Sequence, residues 1–298
     1  MPTSTLYAIC VLVWGTTWFA ITAQLEVLPP EFGVAVRFCL GSAVLMAFCA
    51  LRGIALRHDA RTHALFALQG LCGFCASYIA IYHAERHVVS GVVAVGYAAS
   101  PLVGLVLARV FLGTAVSRRV ALGGLVGLCG VALIFVHEFG RLDATGGAPE
   151  VALGAGLTAG AVLLSSLSTI AAVRYQRRGV SGWAPLAWAM GYGGVGADAF
   201  ALAIGREWHW AWTPSFLGTL AYLTLVGSVV SFGAFYTVVH RLGPAKAGYI
   251  GVMSPVVALA VSSALEGFVW TASTVAGVAL AIAGNVVAMW RPREAVLR

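Results

Sequence analysis

Two six-residue stretches hold most of the residues on which chemistry could be built: SYIAIY at 77–82 and SFGAFY at 231–236. Tyr78 and Tyr82 are one helical turn apart and share a face, as do Phe232 and Tyr236. A phenol in an apolar interior needs a hydrogen-bond partner. Such pairs therefore line a wet pocket and orient a small polar ligand, or they serve packing and anchoring at a membrane boundary. Trp14, Thr17 and Trp18 form a similar stripe near the N-terminus, and Ser165 and Ser168 a smaller polar one. Ser77 and Ser231 lie off the tyrosine faces and are expected to bond back to their own helices. Pro101 and Pro255 each follow a serine, Ser100 and Ser254. Each proline removes a backbone bond and disfavours the carbonyl four residues back, at Tyr97 and Gly251. Both are candidate hinges, with Tyr97, Ser100 and Ser254 as pocket-lining neighbours; the alternative is a static bend.

Other signals are set aside. GYGGVG at 191–196 matches a dinucleotide pattern, but within an apolar run it reads as close helix packing, like Gly123/Gly127 and Gly156/Gly160. CGFC at 72–75 also lies in an apolar run. His83 and His87 are four apart without the order of a zinc motif; His83 is the candidate for pH sensitivity. With no acidic metal cluster and no nucleophile beside a base, no cofactor, metal or enzymatic activity is expected, and a membrane-embedded transferase is the remote alternative.

The elements that must position these residues follow from composition. Hydrophobic residues are 60% of the 298 and charged residues only 10%, with mean hydropathy +0.91. A soluble domain carries about 25% charged residues. Ten apolar runs of spanning length follow at 4–23, 33–51, 64–84, 88–112, 119–137, 152–173, 183–204, 215–239, 246–265 and 272–290. Strict alternation is absent, so the class is all-α integral membrane, and the first run reads as a span without a signal peptide's basic leader. Thirteen of the eighteen Lys and Arg, including Arg52, Arg118, Arg177 and Arg241, fall on one side of this arrangement. Arg86, Arg141 and Arg206 fall on the other, and Arg37 and Arg109 lie inside spans. This asymmetry predicts both termini in the cytoplasm and accounts for the net charge of +7 without nucleic acid.

Displacing the chain by 154 residues pairs the two stretches, and with them Gly73 with Gly227, Ser100-Pro101 with Ser254-Pro255, and Gly123 and Gly130 with Gly277 and Gly284. Five spans separate each residue from its counterpart, so paired helices run oppositely. The reading is two five-helix inverted repeats, 1–145 and 146–298, with a site between them near the midplane. The charges read within spans, Arg37, Arg109 and Asp198, are each placed a turn or two from an end. The pocket is therefore expected to be aromatic, hydroxylated and poor in charge.

This order and spacing resemble the drug/metabolite transporter superfamily in its ten-helix EamA-type branch. Trp14-Gly15, Arg37-Phe38 and the twice-written Ser-Pro followed by a glycine-spaced helix carry the resemblance across the whole chain. Within the branch the chain is most similar to YddG-type exporters of aromatic amino acids. It departs in having Gly113-Thr114 where the family often has an acidic residue, which Glu266 retains in the second half. The resemblance implies an exporter of small metabolites, aromatic or apolar amino acids first, with drugs and planar organic cations, or another metabolite, as the alternative. Compact loops and the lack of a sorting signal point to a bacterial inner membrane; a small-molecule substrate and the lipid bilayer are the expected partners, and a monomer suffices. With no carboxylate at the midplane, transport is expected to be facilitated and not obligatorily proton-coupled.

Overall fold

The structure is a computed structural model describing residues 1–114, 117–143, 148–208, 213–242 and 244–289. Side chains of 137–143, 148, 244–246 and 289 lie outside the description, as do the 145/146 boundary and Arg291, Arg293 and Arg298. Among the described residues all regular structure is helical. The rods are α1 (Thr3–Leu25), α2 (Pro30–Leu51), α3 (Ala60–Ala84), α4 (Ser90–Leu112) and α5 (Arg118–Asp143). Then come α6 (Ala148–Gln176), α7 (Trp183–Ala203), α8 (Pro214–Leu242), α9 (Pro244–Leu265) and α10 (Ala272–Met289). Eight candidate spans, within α1–α6, α8 and α9, are long and apolar enough to cross a membrane. The apolar stretch of α10 is shorter, and α7 is diluted by Trp183, Trp188, Tyr192 and Asp198.

Local signals set the ends. Proline opens α2 and α8, where its missing N–H costs nothing. Asp59 accepts from the Thr62 amide at 3.1 Å to cap α3, and Thr213 accepts from the Phe216 amide at 3.3 Å to cap α8. Gly113, at φ 68°, ends α4 in the left-handed region.

Two rods are not uniform α-helix. Gly70–Ala76 in α3 and Tyr222–Val230 in α8 are π-helical and run directly into Ser77 and Ser231. The extra residue per turn rotates the next helical segment about its axis, a feature frequent at functional sites. The fourth rod departs from an uninterrupted span: helix Ser90–Tyr97 ends and helix Ser100–Leu112 begins with Pro101 in its first turn. Ser100 Oγ donates to the Tyr97 carbonyl at 2.6 Å, satisfying one group the break exposes. Pro255, by contrast, sits inside an uninterrupted helix.

The packing repeats itself. α5 lies along α10, α2 along α7, α1 against α8 and α9, and α6 against α3 and α4. Shifting each label by five reproduces the same pairs. Between α5 and α10 the backbones touch: a Cβ on Gly123 would lie 2.6 Å from the Gly284 carbonyl, and one on Gly130 2.5 Å from that of Gly277. Van der Waals packing at small residues drives such contacts where lipid is as apolar as the side chains. The glycines of 191–196 serve the same end, with Gly194 against Cys39 and Gly193 against Phe74. Gly156 and Gly160 do not, since nothing lies within 4 Å of a Cβ there. Outward faces carry exposed Leu12, Val106, Val110, Leu122 and Leu125, a surface suited to lipid.

Candidate functional site

At one end of the bundle polar contacts tie the helices together. His83 Nε2 at the end of α3 meets Glu31 Oε1 of α2 at 2.8 Å, and Arg206 Nε lies 3.5 Å from Glu31 Oε2. Glu266 accepts from the Ser90 hydroxyl and amide, and His87 pairs with Glu150. Glu85, just past α3, is buried with neither carboxylate oxygen bonded. Burial, and then the nearby Glu266 carboxylate, raise its pKa well above the usual range. We call this the clasp end.

At the opposite end a recess of about 220 Å³ is lined by Gly182, Trp183, Gly233, Tyr236, Thr237 and His240. Gly233 is required here, because a Cβ would run into the Trp183 ring. From Tyr236 a chain of rings leads inward. Phe235 neighbours Trp14 at 5.2 Å, Trp14 meets Phe232 at 5.3 Å, and Phe232 meets Phe74 at 5.9 Å. Phe74 stacks on Tyr78 at 6.4 Å, and Phe38 closes the group at 4.7 Å from Tyr78.

The inner end of this column is a cation. Arg37 is 2% exposed, and its guanidinium carbon lies 5.0 Å from the Tyr78 ring and 5.1 Å from Phe38. Its Nε donates to Ser228 Oγ at 3.3 Å, midway along α8, while Nη1 is buried without a partner. The expectation of a charge-poor interior is thus corrected. Arg37 starts seven residues into α2, but its long side chain runs inward to the π-helical segment of α8.

Trp14, Thr17, Tyr78 and Phe232 gather around this column. Trp14 Nε1 donates to the Gly227 carbonyl at 3.3 Å, and the Thr17 methyl would be 2.8 Å from a Cβ at Gly227. Tyr97 packs edge-on against Trp18 at 5.5 Å, its hydroxyl facing Ser165 and Ser77, and Ser168 Oγ abuts Gly73. Other expected positions lie apart. Tyr82 is fully buried and donates to Gln24 Oε1 at 3.1 Å, so it stiffens the α1–α3 contact beside Arg37 and lines no open space. Ser100 is spent on its own helix break, Ser254 is buried with its carbonyl against Gly15, and His83 belongs to the clasp. Ser231 bonds back to Val226 as expected, but Ser77 crosses to the Ala161 carbonyl of α6 at 2.9 Å.

Sequence reasoning noted Arg37 only as a motif residue and a peripheral charge, and it missed Gln24, Glu31, Glu85 and Ser228. The legible signal was the presence of ionisable residues in or beside spans, where they are rare.

Comparison with known proteins extends this picture. The EamA-like transporter family profile matches residues 2–136 and 152–290. The chain is 29% identical over 259 residues to the uncharacterized inner membrane transporter YedA of Escherichia coli K12, covering 86% of this chain and 80% of that one. It is 25% identical over 281 residues to the uncharacterized transporter YdfC of Bacillus subtilis 168, covering 93% and 88%. A solved crystal structure superposes with TM-score 0.67 at 18% identity over 96% of both chains, a likeness of fold.

Proposed function

Since the chain belongs to the EamA-like transporter family, and is thus a multi-pass bacterial inner membrane transporter, we propose that it exports small metabolites, foremost amino acids with aromatic or apolar side chains. The observation that carries this reading is the ring column from the Tyr236 recess to Arg37, beneath an end held by Glu31, His83 and Arg206. The two halves, 1–145 and 146–298, act as inverted five-helix repeats that exchange access between the two sides. Support comes from the family match over both halves, and from a packing scheme that maps onto itself when helix labels shift by five.

With both termini cytoplasmic, as the basic residues suggest, the recess opens inward and the clasp closes the outside. Trp14, Thr17, Tyr78, Tyr97, Phe232 and Tyr236 contact substrate along the path. Ser165 and Ser168 border it, and Tyr82 supports it through Gln24. Pro101, at the break in α4, and Pro255 take up the bending. Transport runs down the substrate gradient, with His83 at the clasp the candidate for pH sensitivity.

Planar organic cations are the second reading, favoured by the density of aromatic faces. Counterflow of labelled aromatic amino acids into proteoliposomes tests the first. It is expected in wild type, indifferent to an imposed proton gradient, and reduced in Tyr236→Ala. Accumulation driven by that gradient would overturn the facilitated mechanism, and movement of organic cations alone would overturn the substrate.

A further inference from the structure

Resting on the reading of this column as the substrate path, we infer that Arg37 is the carboxylate-receiving group of the site, so that the substrates are carboxylates with an apolar or aromatic body and not organic cations. A guanidinium is a fork of five donors, always charged, shaped to take a carboxylate through two parallel bonds. Arg37 is 98% removed from solvent, yet the groups that bond it, the hydroxyls of Ser228 and Tyr82, are neutral. No carboxylate oxygen comes within 4 Å of it there. Glu85, which feels its charge, is buried, and that burial together with the Glu266 carboxylate raises its pKa above the usual carboxylate range. Buried charges are ordinarily paired, because an uncompensated one is strongly destabilising. The rings of Tyr78 and Phe38 supply part of the compensation.

What remains is an unbonded Nη1 in the interior. Nη2 would lie 3.7 Å from a Cβ at Gly227, so the guanidinium rests close against the α8 backbone. A carboxylate received at Nη1 would have its body along the neighbouring rings of Tyr78, Phe74 and Phe232. Ser228 is already oriented, since its hydroxyl donates to the Leu223 carbonyl at 2.9 Å and so presents a lone pair to Arg37. The guanidinium is therefore held in place before substrate arrives, which lowers the ordering cost of binding.

The test begins with purified full-length wild type and needs no variant. Melting temperatures are measured with L-phenylalanine, L-leucine, 3-phenylpropionate, phenylalaninamide and phenethylamine. The carboxylates are expected to stabilise, and the amide and amine to do so at least tenfold more weakly in concentration. Equal stabilisation by phenylalanine and its amide, or none by any carboxylate including leucine, overturns the proposal. Counterflow is then measured with Arg37→Lys and Arg37→Met. The lysine variant keeps carboxylate transport with at least tenfold weaker apparent affinity, because it lacks the fork, and the methionine variant loses it. Transport of phenylalanine by Arg37→Met at the wild-type level would also overturn it. If carboxylates stabilise but no counterflow occurs, the transport reading fails while the anchor stands. If leucine matches phenylalanine, only the aromatic preference fails.

Discussion

The first and second halves build the same device and use it differently. In both, a helix opens with a side-chain cap, at Asp59 and at Thr213, then loosens into a π-helical segment and enters a serine-led aromatic stretch. In both, a glycine of that segment is approached by a hydroxyl-bearing residue of another helix: Gly73 by Ser168, Gly227 by Thr17. The last tyrosine separates them. Tyr82 is sealed on Gln24, whereas Tyr236 opens onto the recess. The next helix is broken at Pro101 in one half and continuous through Pro255 in the other. Arg37 lies along one half's second helix, while the matching α7 has a glycine run. Related local sequence thus yields one sealed tyrosine and one that opens onto a recess.

Substitutions at the paired positions probe this contrast. Tyr82→Ala is expected to destabilise the protein by about 3–5 kcal/mol, the range for a large buried aromatic. Tyr236→Ala should leave the melting temperature nearly unchanged and lower uptake instead. Equal melting losses would mean the two tyrosines are equivalent after all. Next, Gly227→Ala should cost about 1–3 kcal/mol by crowding the Thr17 methyl at 2.8 Å, and adding Thr17→Ser should recover much of it. Gly73→Ala should behave alike, with recovery from Ser168→Gly.

A smaller difference is expected at the Ser-Pro pairs. Ser100→Ala leaves the Tyr97 carbonyl short of a bond and should cost about 1 kcal/mol in denaturant titration. Ser254→Ala, in an uninterrupted helix, should cost less. The caps give the smallest effect, and pH separates them. The Thr62 hydroxyl, and then its amide, hold the Asp59 carboxyl below the usual range. Its contribution is therefore present above the unfolded pKa of about 4 and is lost as pH falls through the folded value. The melting difference between wild type and Asp59→Ala should fade at low pH. That for Thr213→Ala should not, since a hydroxyl does not titrate there.

Much of the fold was legible because helix length and hydropathy are local properties. Pro29-Pro30, Pro214, Asp59 and Gly113 punctuate the rods by φ preference and capping, and the ten apolar runs overlap the ten rods. The π-helical segments were not legible, because no composition rule separates GLCGFCA from ordinary helix. The break at Pro101 and the continuity at Pro255 were not either, since the same dipeptide is kinked or tolerated according to whether neighbours satisfy the loosened backbone. At the site, residue types were readable but directions were not. Tyr78 and Tyr82 share a face by spacing, yet one joins the ring column and the other finds Gln24.

The class, the spans, the internal recurrence and the family are all written in the sequence, because burial in lipid imposes length and composition on every helix separately. Which tyrosine is sealed, where the clasp and recess lie, and that Arg37 ends beside Ser228 in the interior were settled only by the tertiary structure. Those outcomes depend on how helices remote in the chain rotate and approach one another, and on the reach of a long side chain between them.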